Sequence, residues 1–304
     1  MTPTNPKKDG RTNMQIAFHI GANCTDDDRI LKSLLKNAGA FCEEGITIPG
    51  PGKYRRLIRE TIQNLNGLPP AANTRGILLD AILDDADTER VVMSNTNFIC
   101  IANRIFDNGV FYQQAESKIK ALHEIFAEDE IELFLALRNP ATFLPVVFEE
   151  SKSATTDEYL KGLHPTQIRW SDLVRRIQSQ FPKTKLTVWC NEDTPLVWAE
   201  ILRAIAGIGP DQKIVGGFDL LASIMSNEGM TRLLNYLRTH PPKTEMQKQR
   251  IIGAFLDKYA MDEKIEETVE WPGMTEPMVD ELTEIYENDV AFIEQLPGIN
   301  FIAP

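Results

Sequence analysis

Apolar residues fall into short continuous runs separated by amphipathic stretches. MQIAFHI (14–20), RVVMSNTNFIC (90–100), EIELFLAL (130–137) and KLTVWCNED (185–193) carry apolar residues at successive positions, as strands covered on both faces require. EEGITIPG (43–50) is a shorter strand running into the turn PGPG. Between these runs the spacing changes to three and four. Ile30, Leu31, Leu34, Leu35 and Ala38 mark one face of a helix that Asn37 and Gly39 help to end. KYRRLIRETIQNL (53–65), ANTRGILLDAILDDA (72–86, capped by Asn73 or Thr74), residues 114–126, WSDLVRRIQSQF (170–181) and PLVWAEILRAIAG (195–207) read as further helices.

Strand and helix thus alternate at least four times. That pattern predicts an α/β fold: a doubly wound, mostly parallel sheet flanked by helices. From about residue 216 the pattern is almost entirely helical. TEPMVDELTEIYENDVAFIEQL (275–296), with Thr275 as cap, places Met278, Leu282, Ile285, Phe292 and Leu296 near one face. The organisation expected is a disordered tail over 1–13, an α/β core over 14–215 and a helical C-terminal extension over 216–304 packed on that core. The polar excursion SKSATTDEYLKGLHP (151–165) follows the 130–137 strand, where crevice-lining loops of α/β folds lie.

The 304 residues are 42% hydrophobic, an ordinary globular balance. The formal net charge of -12 repels polyanions, which argues against nucleic acid and acidic membranes as partners. Residues 1–13 are polar and lack the apolar run of a signal peptide, and no later window approaches a membrane span, so a cytoplasmic protein is expected. Cys24, Cys42, Cys100 and Cys190 form no CxxC pair and read as reduced, structural residues. His19, His123, His164 and His240 are scattered, without a zinc-site spacing, and no metal is expected.

The stretch FHIGANCTDDDRILKSLLKNAG (18–39) reads as a buried strand, a glycine turn and a helix. This layout often holds a phosphate on backbone N–H groups. The Walker spacing GxxxxGK[ST] is absent. Three aspartates open the helix instead. Thr25 followed by Asp28 forms a capping-box-like arrangement, and acidic residues suit a helix N-terminus.

The order of these segments resembles that of the sulfotransferases, particularly bacterial members. The similarity is carried by FHIGANCT (18–25) and the helix after it, EEGITIP (43–49), VVMSNTNF (91–98), LFLALRNPATF (133–143), the C-terminal helix and LPGINFI (296–302). It spans most of residues 14–304. The resemblance implies a P-loop-type fold that binds 3'-phosphoadenosine 5'-phosphosulfate and passes its sulfuryl group to a hydroxyl or amine of a small-molecule or glycan acceptor. It matches Gly21 to the first glycine of the donor loop, Thr25 to its hydroxyl residue and Arg138 to the arginine on the 3'-phosphate. The donor-binding set it implies is Gly21, Ala22, Asn23, Cys24, Thr25, Ser94 and Arg138.

This chain departs from the pattern at its centre. Cys24 stands where the lysine belongs, Asp26 replaces the second glycine, and Asp27 and Asp28 replace hydroxyl residues. Val146 stands where Arg138 would have its serine partner, leaving Ser151 or Ser153 as substitutes. A carboxylate beside a phosphate costs roughly several kcal/mol at low effective dielectric unless a cation bridges them. Mg²⁺ on Asp26 and Asp28 is one such bridge, although adjacent helical residues point about 100° apart. Two functions follow: sulfuryl or related group transfer with a strongly altered donor site, or non-catalytic binding on the same scaffold.

His164 is a positional candidate for an acceptor-activating base, from the 151–165 loop. Ser94, Asn95 and Asn97 follow a strand and serve either the crevice or loop capping. Glu192 or Asp193 serves as a general base or as the cap of the helix opening at Thr194-Pro195, the cap being favoured. His19 reads as a satisfied core histidine. Lys53, Arg55, Arg56 and Arg59 form the densest basic run, either an anion site or, as favoured, a solvated helix face.

Overall fold

The computed structural model describes residues 13–84, 87–265 and 271–304. The tail expected over 1–13 lies outside these except for Asn13. In chain order the elements begin with β1 (Gln15–Gly21), α1 (Arg29–Leu35), α2 (Ala38–Glu43), β2 (Ile46–Thr47), α3 (Pro51–Leu65), α4 (Thr74–Ile82) and β3 (Arg90–Ser94). They continue with α5 (Ala115–Ile125), β4 (Glu130–Leu137), α6 (Pro140–Ser151), α7 (Thr156–Leu160), α8 (Trp170–Gln180), β5 (Lys185–Cys190) and α9 (Thr194–Ala206). The chain closes with α10 (Asp219–Ile224), α11 (Asn227–Thr239), α12 (Glu245–Tyr259), α13 (Asp262–Ile265), α14 (Glu276–Glu294) and β6 (Ile299–Ile302).

The six strands form one sheet in the order β2-β3-β1-β4-β5-β6, and every pairing is parallel. β1 lies between β3 and β4, with Ile16 level with Val91 on one side and Ile131 on the other. Alternate side chains feed opposite faces. Ile16, Phe18 and Ile20 enter the larger core, while Ala17 enters the second one with Trp189 and Trp198. This double burial explains why the strands read as continuous apolar runs. After β1 the chain runs out to β2 at the edge, returns to β3 between the two, then crosses to β4 on the other side. The topological switch therefore lies at the carboxyl end of β1, where open α/β sheets bind ligands.

Three expectations need correction. The predicted first helix is two helices: Asn37 ends α1, whereas Gly39 sits inside α2. The region 216–304 is mostly helical, as expected, and it also adds a short strand to the sheet. β6 pairs with β5, and Trp271, Tyr286 and Ile293 belong to the main core, while α10, α11 and α12 gather a satellite cluster around Leu221, Ile224, Leu233 and Ile252. The buried face of α14 is Leu282, Tyr286, Asp289 and Ile293, whereas Phe292 is exposed. Finally, residues 151–165 do not line the crevice. They contain α7, whose Tyr159 is buried against Phe106 and donates to the carbonyl of Ala102.

Candidate functional site

β1 ends at Gly21, whose φ of 117° is open only to glycine without strain. A Cβ there would come within 3.2 Å of the Thr96 carbonyl oxygen. The turn that follows is held by its own donors. The Ala22 N–H bonds the Ala136 carbonyl at 3.1 Å, which ties the turn to β4. Asn23 is buried, and its N–H donates to Tyr112 Oη while that hydroxyl donates back to Asn23 Oδ1. Asn23 Nδ2 donates to Asn97 Oδ1 and to the Cys100 carbonyl. Asn23 is therefore an internal brace, not an anion contact.

The expected capping box does not form. Thr25 Oγ1 donates to the Ala22 carbonyl at 2.7 Å. The helix α1 begins only at Arg29, and the residue before it, Asp28, is left-handed at φ 61° and makes no side-chain cap. Asp26 supplies the cap instead, its Oδ2 accepting from the Ile30 N–H at 3.2 Å. Asp28 turns to α3, where Arg55 Nη1 and Nη2 fork onto its two carboxylate oxygens at 3.0 and 2.5 Å. Those hydrogen bonds hold the Asp28 carboxyl below its ordinary value against the opposing effect of burial. The Arg55 Nε also donates to the Ser94 carbonyl at 2.9 Å.

Arg138 stands at the carboxyl end of β4, and its Nη1 donates to the Cys24 carbonyl of the turn while Nε donates to Thr142 Oγ1. The Cys24 thiol donates to Glu150 Oε2 at 2.8 Å. Burial first, and then the Glu150 carboxylate, push this thiol far up, so it is not a thiolate nucleophile. Ser94 is buried, with its hydroxyl 2.8 Å from His19 Nδ1 and its backbone N–H and C=O both bonded by Tyr54 Oη.

Two buried polar atoms have no hydrogen-bond partner among the described residues: His19 Nε2 and Asp26 Oδ1. His19 is thus only half satisfied, contrary to expectation. Burial lowers its pKa, and the charges of Asp26 and Asp28 act in the opposite sense.

A crevice of about 1030 Å³ opens beside this turn, over the carboxyl ends of β4 and β5. Cys24, Thr25, Asp26, Asp27 and Arg138 form one wall, and Asp257, Lys258, Asp262 and Lys264 face them from the C-terminal helices. Trp189, Trp198 and Leu220 supply apolar surface. Of the donor-binding set anticipated from sequence, Cys24, Thr25 and Arg138 line the crevice, and so do Asp26 and Glu192. Gly21, Ala22, Asn23 and Ser94 are buried outside its lining. His164 lies apart as an exposed residue capping a short turn, with Thr166 N–H donating to its Nδ1. Ser151 and Ser153 bond each other. Glu192 accepts from the Asn139 N–H and from Tyr286 Oη, so it joins β5, α6 and α14, and the Asp193 side chain caps nothing. The 257–265 wall was invisible in the sequence because no local motif marks it.

These residues do not fit 3'-phosphoadenosine 5'-phosphosulfate. The turn itself holds no lysine, its three carboxylates crowd the space, and Arg55 and Arg138 already bond protein oxygens, which leaves Arg29 as the one arginine of the turn region without a side-chain bond among the described residues. The Mg²⁺ bridge loses Asp28 to Arg55, and among the described residues no group of three or more His, Cys, Asp or Glu is arranged to hold a metal. No described helix is long and apolar enough to cross a membrane. Comparison with family models, with characterised proteins and with solved structures finds no match.

Proposed function

We propose that this chain is a non-catalytic binding protein on a sulfotransferase-like scaffold, holding a small molecule in the crevice beside β4 and β5. One observation carries the reading. The turn that would cradle a phosphosulfate is occupied by the protein's own ion pairs and carbonyls, with Arg55 forked onto Asp28 and Arg138 bonded to the Cys24 carbonyl. Displacing them with an anion would expose that anion to Asp26 and Asp27 and leave Asp28 without its counter-charge. The crevice keeps walls of both signs and apolar surface from Trp189 and Trp198, a lining suited to an amphipathic ligand.

Sulfuryl transfer to a small-molecule or glycan acceptor is the second reading. It is favoured by the position of the crevice at the topological switch and by the guanidinium of Arg138 facing the turn. Titration of the full chain with adenosine 3',5'-bisphosphate, with and without Mg²⁺, separates the two. A ligand at 100 times its dissociation constant stabilises the folded state by about 2.7 kcal/mol. The binding-protein reading expects no thermal shift at millimolar ligand that depends on Arg138. A shift that disappears in Arg138→Lys would overturn it. Trp189 and Trp198 in the lining report crevice occupancy through fluorescence, so the same preparation serves to find the true ligand.

A further inference from the structure

The basic run on α3 is largely exposed, but three of its arginines border a second cavity. This pocket, of about 680 Å³, opens on the other side of β1, past the end of β3. Arg55, Arg56 and Arg59 from α3 meet Arg104 and Lys118 from later in the chain around it, and no carboxylate side chain contributes to its lining. In a chain of net charge -12 this is a local reversal of sign. Three of the cations have carboxylate partners outside the pocket: Arg55 with Asp28, Arg56 with Glu60 and Arg104 with Asp107. The side chains of Arg59 and Lys118 make no hydrogen bond or ion pair among the described residues. Lys118 is half-buried as well as unpaired, an arrangement that costs free energy unless an anion compensates it. The desolvation of its ammonium, and then the like charge of Arg104, push its pKa down. The Cys100 thiol in the lining is pushed up to about 12 by burial, so it adds no competing negative charge. The floor is apolar, formed by Ile58, Ile62 and Phe98.

We propose that this pocket binds a small organic phosphate or sulfate ester. Its oxyanion sits between Lys118, Arg59 and Arg104, and its apolar body lies on Ile58, Ile62 and Phe98. An ammonium held half-buried beside a guanidinium gains most from a compact, multiply charged oxyanion, which accepts from both at once. The floor gives such a group an attached hydrocarbon to recognise, and the neighbouring amides of Asn95, Asn97 and Gln114 offer donors and acceptors for its linking atoms. The site is separate from the crevice beside β4 and β5 and does not depend on what that crevice holds.

Phenyl phosphate, phenyl sulfate, inorganic phosphate and phenol are the probes, titrated calorimetrically into the full chain at low and high salt. The expected result is binding of a phenyl ester, weakened at high salt, with inorganic phosphate and phenol each at least tenfold weaker. Lys118→Met, which keeps the side-chain volume, and Arg59→Ala, on the exposed helix face, should each weaken the ester at least fivefold. Lys53→Met, in the same basic run but outside the pocket, should leave it unchanged. Failure of both esters to bind at millimolar concentration would overturn the site. So would equal binding of phenol, or affinity unchanged in both Lys118→Met and Arg59→Ala. Equal affinity for inorganic phosphate and phenyl phosphate would overturn the assignment of an organic ester.

Discussion

The turn after β1 and the pocket beside α3 lie on either side of one guanidinium. Arg55 forks onto Asp28 of the turn and lines the pocket with its remaining surface. On the turn side, Arg55 and Arg138 bond the protein's own oxygens, and carboxylates crowd the space where a ligand's phosphate would sit. On the pocket side, cations converge from three chain segments and no carboxylate enters the lining. The two regions share the carboxyl end of the sheet and a net negative chain, so overall charge decides neither. What decides is the local pairing of each charged group, because an interaction at contact distance outweighs the screened field of the remainder.

The largest effect should come from unsealing the turn. Tyr112→Phe removes the hydroxyl that both donates to and accepts from Asn23, leaving a buried N–H and a buried carboxamide oxygen without that partner. Urea unfolding should show a loss of about 2–4 kcal/mol, and an unchanged midpoint would mean that the turn is not braced there. A smaller effect bears on both regions together. Asp28→Asn should destabilise by only about 0.5–1 kcal/mol, since the ion pair is partly exposed. It also releases Arg55, so phenyl phosphate should bind about threefold to fivefold more tightly. Unchanged affinity would show that the turn does not compete with the pocket for Arg55.

Titration offers a third comparison. Burial holds the His19 pKa below its ordinary 6.5, so the unfolded chain takes up the proton first. Its contribution is therefore constant above about 6.5, and stability declines as the pH falls below that value. His123, also lowered by burial, titrates in the same sense. The difference in pH slope between the wild type and His19→Asn isolates His19, and identical slopes would refute its role. Asp28 behaves differently. Its carboxyl, held down by Arg55, contributes at every pH above the ordinary 3.8, and that contribution is lost only as the pH falls below it, through the folded value. The smallest effect belongs to Asp27, which is exposed. Asp27→Asn, which tolerates the left-handed backbone at φ 49°, should change stability by less than about 0.5 kcal/mol, and a larger loss would mean that its carboxylate takes part in the turn.

Much of the scaffold is legible in the amino-acid order. The strand over 130–137 was read with its observed bounds, because every residue from Ile131 to Leu137 is buried and the apolar run stops where burial stops. The helices α5, α8 and α9 were equally plain, each showing the spacing of a one-sided stripe. β6 was missed, since INFI is four residues beside a long helix and gains its partner only from β5. The helix α6 was missed too, hidden behind Pro140 and interrupted by Pro145, with Asn139 as its cap. For the site, the departures at Cys24 and Asp26–Asp28 were visible, but their consequences were not. Thr25 and Asp28 satisfied the local rule for a capping box, yet Asp28 found a stronger partner in Arg55, 27 residues away.

The amino-acid order by itself determined the alternation of strand and helix, and with it a parallel sheet covered on both faces, because periodicity is a local property that burial must obey. It also determined that the turn after β1 carries three carboxylates and no lysine. Only the tertiary structure decided where those charges go. Pairing of Asp28 with Arg55, closure of the crevice by residues 257–265 and convergence of Arg59, Arg104 and Lys118 on one pocket all join positions far apart in the chain. Such encounters depend on strand order and helix packing, which single-sequence periodicity does not encode, and Coulomb energy at contact distance then fixes which carboxylate each cation meets.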